Sequence, residues 1–185
     1  PLQFCSLTVI FLALERYVYY RQAISDTKFV MMFCKEMTRG KVSEAAGLAE
    51  KELGSAAKLA KDILSEKDSL GQSLESVTYE KTDRYLNQLS AHLDYLGVII
   101  GLSPMLGLLG TITGMMGTFS SMTGQLQNTA GVTAGLAEAL ITTIFGLVIA
   151  IAGMLVHAYL NARYKKAMLD LDAVADALIS GLSGK

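Results

Sequence analysis

Between Asp94 and Arg163 the chain holds a single Asp, Glu, Lys or Arg, and that residue is Glu138. Two apolar runs fill the interval, residues 96–122 and 132–160. At ~1.5 Å per residue each is long enough to cross the ~30 Å hydrocarbon core of a bilayer as a helix. An ionised Asp or Glu at the centre of such a helix costs roughly 2.5–3.5 kcal/mol on insertion scales. Protonation removes most of that cost, because burial disfavours the charged form. A carboxyl group held there is a natural proton carrier, which makes Glu138 the first candidate functional residue.

Bulk composition says less than distribution. The 185 residues are 51% hydrophobic with a mean hydropathy of +0.38, barely above the ~45–50% apolar share of soluble domains. The apolar residues, however, gather at 1–14, 96–122 and 132–160, with charges filling the gaps. A net charge of −1 gives no electrostatic case for binding nucleic acid. Cys5 and Cys34 are too few for a disulfide framework and lack metal-ligand spacing. No nucleophile–base set, metal cluster or phosphate loop suggests an enzyme. The chain opens at Pro1 with an apolar run already under way and reads as trimmed at its N-terminus.

The expected architecture is all-α: an integral membrane protein with three transmembrane helices, two of them extended into the cytoplasm, plus a small cytoplasmic helical bundle. Residues 1–21 form the first span, its apolar stretch carried to spanning length by Tyr17, Tyr19 and Tyr20 at the interface. Residues 22–95 form the cytoplasmic helical region. In it Phe29, Met32, Phe33 and Met37, then Leu48, Leu53, Ala56, Leu59 and Leu64, recur at helical spacing. Thr38-Arg39-Gly40-Lys41 and Gly54-Ser55 read as turns, and Gly71 as a weaker break. Leu86, Leu89, Leu93 and Leu96 keep one apolar face, so a single helix is expected from about 72 to 122, kinked at Pro104. Its membrane part is 96–122. A periplasmic loop at 123–130, a third span at 131–161 and a cytoplasmic C-terminal helix at 162–185 complete the chain. That last helix has Leu169, Leu171, Val174 and Leu178 on one side and Asp170, Asp172 and Asp176 elsewhere.

All sixteen Lys and Arg lie in residues 16–84 or 163–185. The positive-inside rule then makes 22–95 and the C-terminus cytoplasmic and the N-terminus periplasmic.

Wound at about 100° per residue, Gly131, Gly135, Glu138, Thr142, Gly146 and Gly153 fall within about 80° on the third span. Gly107, Gly110, Gly114 and Gly117 share a similar arc on the second, with Thr111 and Thr118 at its edge. Small residues let backbones approach and hydroxyls supply polar partners; the threonines equally suit bonds to their own preceding-turn carbonyls. Thr143 projects some 140° from Glu138. His92 and His157, near the membrane ends of the two helices, suit either proton relay or an interfacial position.

The stretch from Leu102 to Met116 carries P-x-x-G-L-x-G-T-x-x-G-M from Pro104 to Met115, and Gly135-Leu136-Ala137-Glu138-Ala139-Leu140 leads to Thr143 and Gly146-Leu147. In these motifs the chain resembles the MotA/TolQ/ExbB proton channel family, its ExbB/TolQ branch above all, and Leu14-Glu15-Arg16 extends the likeness to the first span. The resemblance implies a proton-driven stator, a homo-oligomer of five three-span subunits around a pair of ExbD/TolR-like single-span helices, each bearing a membrane Asp. Through these a TonB- or TolA-like protein would be energised across the periplasm of a bacterial inner membrane. It implies no cofactor beyond protons as coupling ion. It puts Glu138 at the membrane carboxylate position, Thr111 and Thr143 at the polar positions of the second and third spans, with Thr142 beside them in the proton pathway. Gly107, Gly110, Gly114, Gly117, Gly135 and Gly146 are the helix-packing glycines. The rival readings are a secondary transporter for a small solute, which the low span count and missing inverted repeat disfavour, and a non-conducting membrane scaffold.

Overall fold

The computed structural model of the chain describes residues 2–70, 73–122 and 129–183. Its elements are α1 (Leu2–Ala23), α2 (Thr27–Thr38), α3 (Val42–Lys51), α4 (Ser55–Leu70), α5 (Leu74–Ser90), α6 (Leu93–Met122) and α7 (Thr129–Ser183). No strand occurs among the described residues. The expected break at Gly71 and residues 123–128 of the expected loop lie outside them. Two helical stretches, within Leu74–Ser120 and Thr133–Ser183, are long and apolar enough to cross a membrane. Only 22% of the most apolar window in each is buried, whereas the core helix of a water-soluble domain is mostly buried. α1, expected as a further span, is not one of these two.

The chain divides into two compact units, Pro1–Glu15 with His92–Tyr159, and Arg16–Ala91 with Leu160–Lys185. In the second unit the short helices are set by local chemistry. Asp26 caps α2, its Oδ1 accepting from the Lys28 N–H at 3.1 Å. α2 ends in a Schellman turn: Lys41 N–H bonds to Glu36 O and Gly40 N–H to Met37 O, both at 3.0 Å, around Gly40 at φ +73°. Gly54 runs so close to the Ser25 backbone that no Cβ fits there. The core gathers Phe29, Phe33, Met37, Leu59, Ile63, Leu171, Val174 and Leu178, each less than 9% exposed. Three residues assigned to apolar faces lie outside it: Met32, Leu53 and Leu169 are 52%, 77% and 68% exposed. Each sits off the packed side of its helix, or in Leu53's case between α3 and α4.

Asp170 departs in the opposite sense. It is buried, and its Oδ2 finds no hydrogen-bond partner among the described residues. Burial pushes its carboxyl above the usual carboxylate range, against the pull of Lys166. A carboxyl raised in the folded state contributes stability below its unfolded value that is lost as pH rises through the folded one. At neutral pH, then, the charge is a burden. Asp170→Asn should raise the melting temperature at pH 7 by roughly 2–4 °C, equivalent to about 1 kcal/mol in a chain of this size, and the gain should fade as the pH is brought down through the raised value.

The single helix expected over 72–122 is instead two. α5 stops at Ser90, and α6 starts at Leu93, with the Leu96 N–H bonding to the His92 carbonyl at 3.0 Å. Donors from α1 make the stop stable. The Tyr20 hydroxyl donates to Leu89 O at 2.7 Å, in a buried bond, and the Arg16 guanidinium reaches Gln88 O at 3.5 Å. The last carbonyls of a helix need such partners. Tyr20→Phe leaves the Leu89 carbonyl without that hydroxyl and should cost on the order of 1–3 kcal/mol, read as a lower midpoint of denaturation.

Candidate functional site

The two apolar helices of the first unit pack antiparallel in a register that their small residues define. A Cβ on Gly135 would lie 2.5 Å from Thr118 Oγ1, one on Gly114 2.8 Å from Ala139 Cβ, and one on Gly110 2.7 Å from Thr142 Oγ1. Farther along, one on Gly107 would meet Thr143 Cα at 3.0 Å, one on Gly146 Ser103 O at 2.6 Å, and one on Gly153 Ile100 Cγ1 at 2.7 Å. Residues on α6 and α7 thus meet in pairs whose numbers rise on one helix as they fall on the other. Gly107, Gly110, Gly114, Gly135 and Gly146 all belong to this seam. At Gly117 a Cβ would meet no atom of the described residues within 4 Å.

Hydroxyls stitch the seam where the backbones are closest. Thr111 is buried, and its Oγ1 lies 3.3 Å from its own preceding-turn carbonyl, Gly107 O, and 3.1 Å from Ala139 O on the other helix. Thr143 answers it, donating to Gly107 O at 3.0 Å rather than to its own Ala139 carbonyl. The two hydroxyls also hydrogen-bond to each other. Thr143 has therefore crossed to a carbonyl of the facing helix, and Thr111 has carbonyls of both helices within reach. Thr142 keeps to its own helix, donating to Ala139 O at 2.7 Å. Ser103, fully buried and bonded to Ile99 O at 2.8 Å, extends the polar line one turn beyond Gly107. The sequence reading passed over it, although positions 103, 107 and 111 share a face at four-residue steps.

Glu138 stands apart from this group. Ala139, next to it, is buried in the seam at 2% exposure, and one residue back the helix has turned about 100°, which carries Glu138 onto the exposed flank of α7. Ile141 and Phe145 on the same side are also exposed, at 50% and 58%. No ion pair or hydrogen bond to its carboxylate occurs among the described residues. The seam thus holds Thr111, Thr142 and Thr143 together, while the one membrane carboxylate faces outward from the chain on an otherwise apolar surface.

Of the two histidines, His92 pairs with Glu15 of α1, Nδ1 to Oε2 at 3.1 Å. His157 faces Gly97 across the seam, its Nε2 3.9 Å from where a Cβ would sit. No group of three or more His, Cys, Asp and Glu side chains able to hold a metal ion occurs among the described residues.

Sequence comparison places these features in a wider group. A model of the MotA/TolQ/ExbB proton channel family matches residues 46–173, a range that includes both apolar runs and the whole seam. A protein of Methanothermobacter thermautotrophicus, named for homology to the biopolymer transport protein ExbB, is 31% identical over 157 residues, covering 82% of this chain and 54% of its own length. One of Synechocystis, named as a biopolymer transport protein ExbB-like 3, is 41% identical over 69 residues, covering 36% of this chain and 33% of its own. The chain thus spans about half the length of the first relative and a third of the second.

Proposed function

Because this chain belongs to the MotA/TolQ/ExbB proton channel family, we propose that it is one subunit of a proton-conducting stator in the bacterial inner membrane, converting the proton motive force into work by a periplasm-spanning partner. The reading is carried by Glu138. An outward-facing carboxylate with no partner among the described residues, on an apolar flank, is costly in lipid and becomes tolerable where neighbouring subunits enclose a polar axis. Five copies with these flanks turned inward would surround ExbD/TolR-like helices, whose membrane Asp would exchange protons beside Glu138. Each charge that crosses supplies about 2.3 kcal/mol per 100 mV, to be delivered through the partner to a TonB- or TolA-like protein.

In this assembly α1 supplies the third span. Leu7, Ile10, Phe11 and Leu14 are 54–67% exposed along it, a surface suited to lipid. The threonine pair supplies the polar lining of the pathway. Thr111's one hydroxyl hydrogen has Gly107 O, Ala139 O and Thr143 Oγ1 within reach, and can change acceptor without either helix moving. A scaffold held together only by glycine faces fits less well, since five of the six packing glycines are already used between α6 and α7 of one chain. The test is potential-driven proton uptake by liposomes containing this chain and its single-span partner, with Glu138 intact and replaced. Uptake that is independent of residue 138 overturns the reading.

A further inference from the structure

One corner of the first unit is held in an arrangement that packing alone does not demand. Among the described residues His92 is the only one other than glycine with a positive φ, at +70°, a conformation that side chains with a Cβ rarely adopt. It lies at the break between α5 and α6. The backbone twist sends its ring toward α1, where Nδ1 meets the Glu15 carboxylate at 3.1 Å across 77 residues of sequence. Tyr95 flanks the ring, with centroids 6.1 Å apart. The imidazole is not sealed in: 42% of the His92 side chain and 36% of that of Glu15 remain exposed. Strained backbone that persists in a fold points to a positional requirement on the side chain it carries.

We propose that the Glu15–His92 dyad is the group through which protons leave the subunit for the cytoplasm. The inference rests on the reading of the chain as a proton-conducting subunit. An ionised carboxylate only accepts, so Nδ1 carries the hydrogen shared with Glu15, and Nε2 is the nitrogen that gains and loses a proton. A hydronium arriving from the pathway gives its proton to Nε2 and becomes water. Nε2 then passes the proton to a water or buffer base on the cytoplasmic side, and the neutral ring is restored with Nδ1 still bonded to Glu15. One proton crosses per cycle, and no ring flip is needed. Imidazole suits the task because it is the side chain whose ordinary protonation range spans neutral pH.

Two substitutions separate a proton-transfer role from a structural one. His92→Asn keeps an amide donor for Glu15 and a residue type that tolerates the left-handed backbone, but cannot carry a proton. His92→Gly tolerates the same backbone and leaves room for a small solute. In liposomes holding the complex of this chain with its partner, His92→Asn should lower potential-driven proton flux about tenfold or more with an unchanged melting temperature. Free imidazole should restore flux to His92→Gly in proportion to its concentration, and should do nothing for Glu138→Gln. A His92→Asn complex that conducts at the unaltered rate, while Glu138→Gln does not conduct, overturns the dyad and leaves the stator standing. Loss of flux that imidazole does not relieve, and that follows a fall in melting temperature, makes His92 structural and also overturns it. Unaltered conduction by Glu138→Gln removes the reading on which the dyad rests.

Discussion

Glu138→Gln is expected to abolish proton uptake and the work it drives while leaving the chain folded and assembled. The two side chains are nearly the same size, and Glu138 sits on an exposed flank with no partner among the described residues. Nothing in the α6–α7 seam depends on its charge. A substitution at such a surface position moves stability by within about 0.5 kcal/mol, so helix content, melting temperature and co-purification with the partner should match the unaltered protein. The amide cannot bind and release a proton, and it is permanently neutral. Proton flux should therefore fall to the level of liposomes without protein. Glu138→Asp keeps the ionisable group on a shorter arm and should retain a measurable part of the flux. Equal loss in the Asp and Gln variants would mean that position, not protonation, is what residue 138 supplies. Thr111→Val should differ in kind, because it removes hydrogen bonds inside the seam and so should lower both flux and melting temperature.

How far the sequence could be read depended on the range of the interactions involved. The two apolar helices and their lone acid were legible because a long stretch almost without charge is a local property, and so was the turn at Gly40. The end of α5 was not. The residues around Ala91 and His92 contain no helix breaker, and the groups that satisfy the last carbonyls, Arg16 and Tyr20, come from about seventy residues earlier. Helix projection set Glu138 and Thr143 on different sides of one helix, and their surroundings differ accordingly. It gave no sign that Thr111 and Thr143 would meet within one chain, because that depends on the register between two helices, which a wheel drawn for each cannot contain. Asp170 misled because a carboxylate among apolar neighbours normally marks the solvent side, and here the helix buries it.

Register also dictates which glycine matters most. Gly146→Leu is expected to separate α6 from α7 and prevent a folded first unit from forming, and Gly146→Ala to do so in part. A Cβ at this position would lie 2.6 Å from Ser103 O and 3.1 Å from Gly107 Cα, both backbone atoms of the facing helix. Backbone cannot rotate away as a side-chain tip can, so the helices must part. Parting them stretches the bonds from Thr111 to Ala139 O and from Thr143 to Gly107 O, and packing and hydrogen bonding are lost together. Overpacking by a methyl alone costs about 1–3 kcal/mol, and the lost bonds add to it. At Gly110 the same methyl would press on Thr142 Oγ1, the end of a side chain that can turn, so Gly110→Ala should cost less. Melting temperatures in detergent should therefore rank Gly110→Ala above Gly146→Ala. Equal effects at both positions would show that the antiparallel register described for α6 and α7 is not the one the protein adopts.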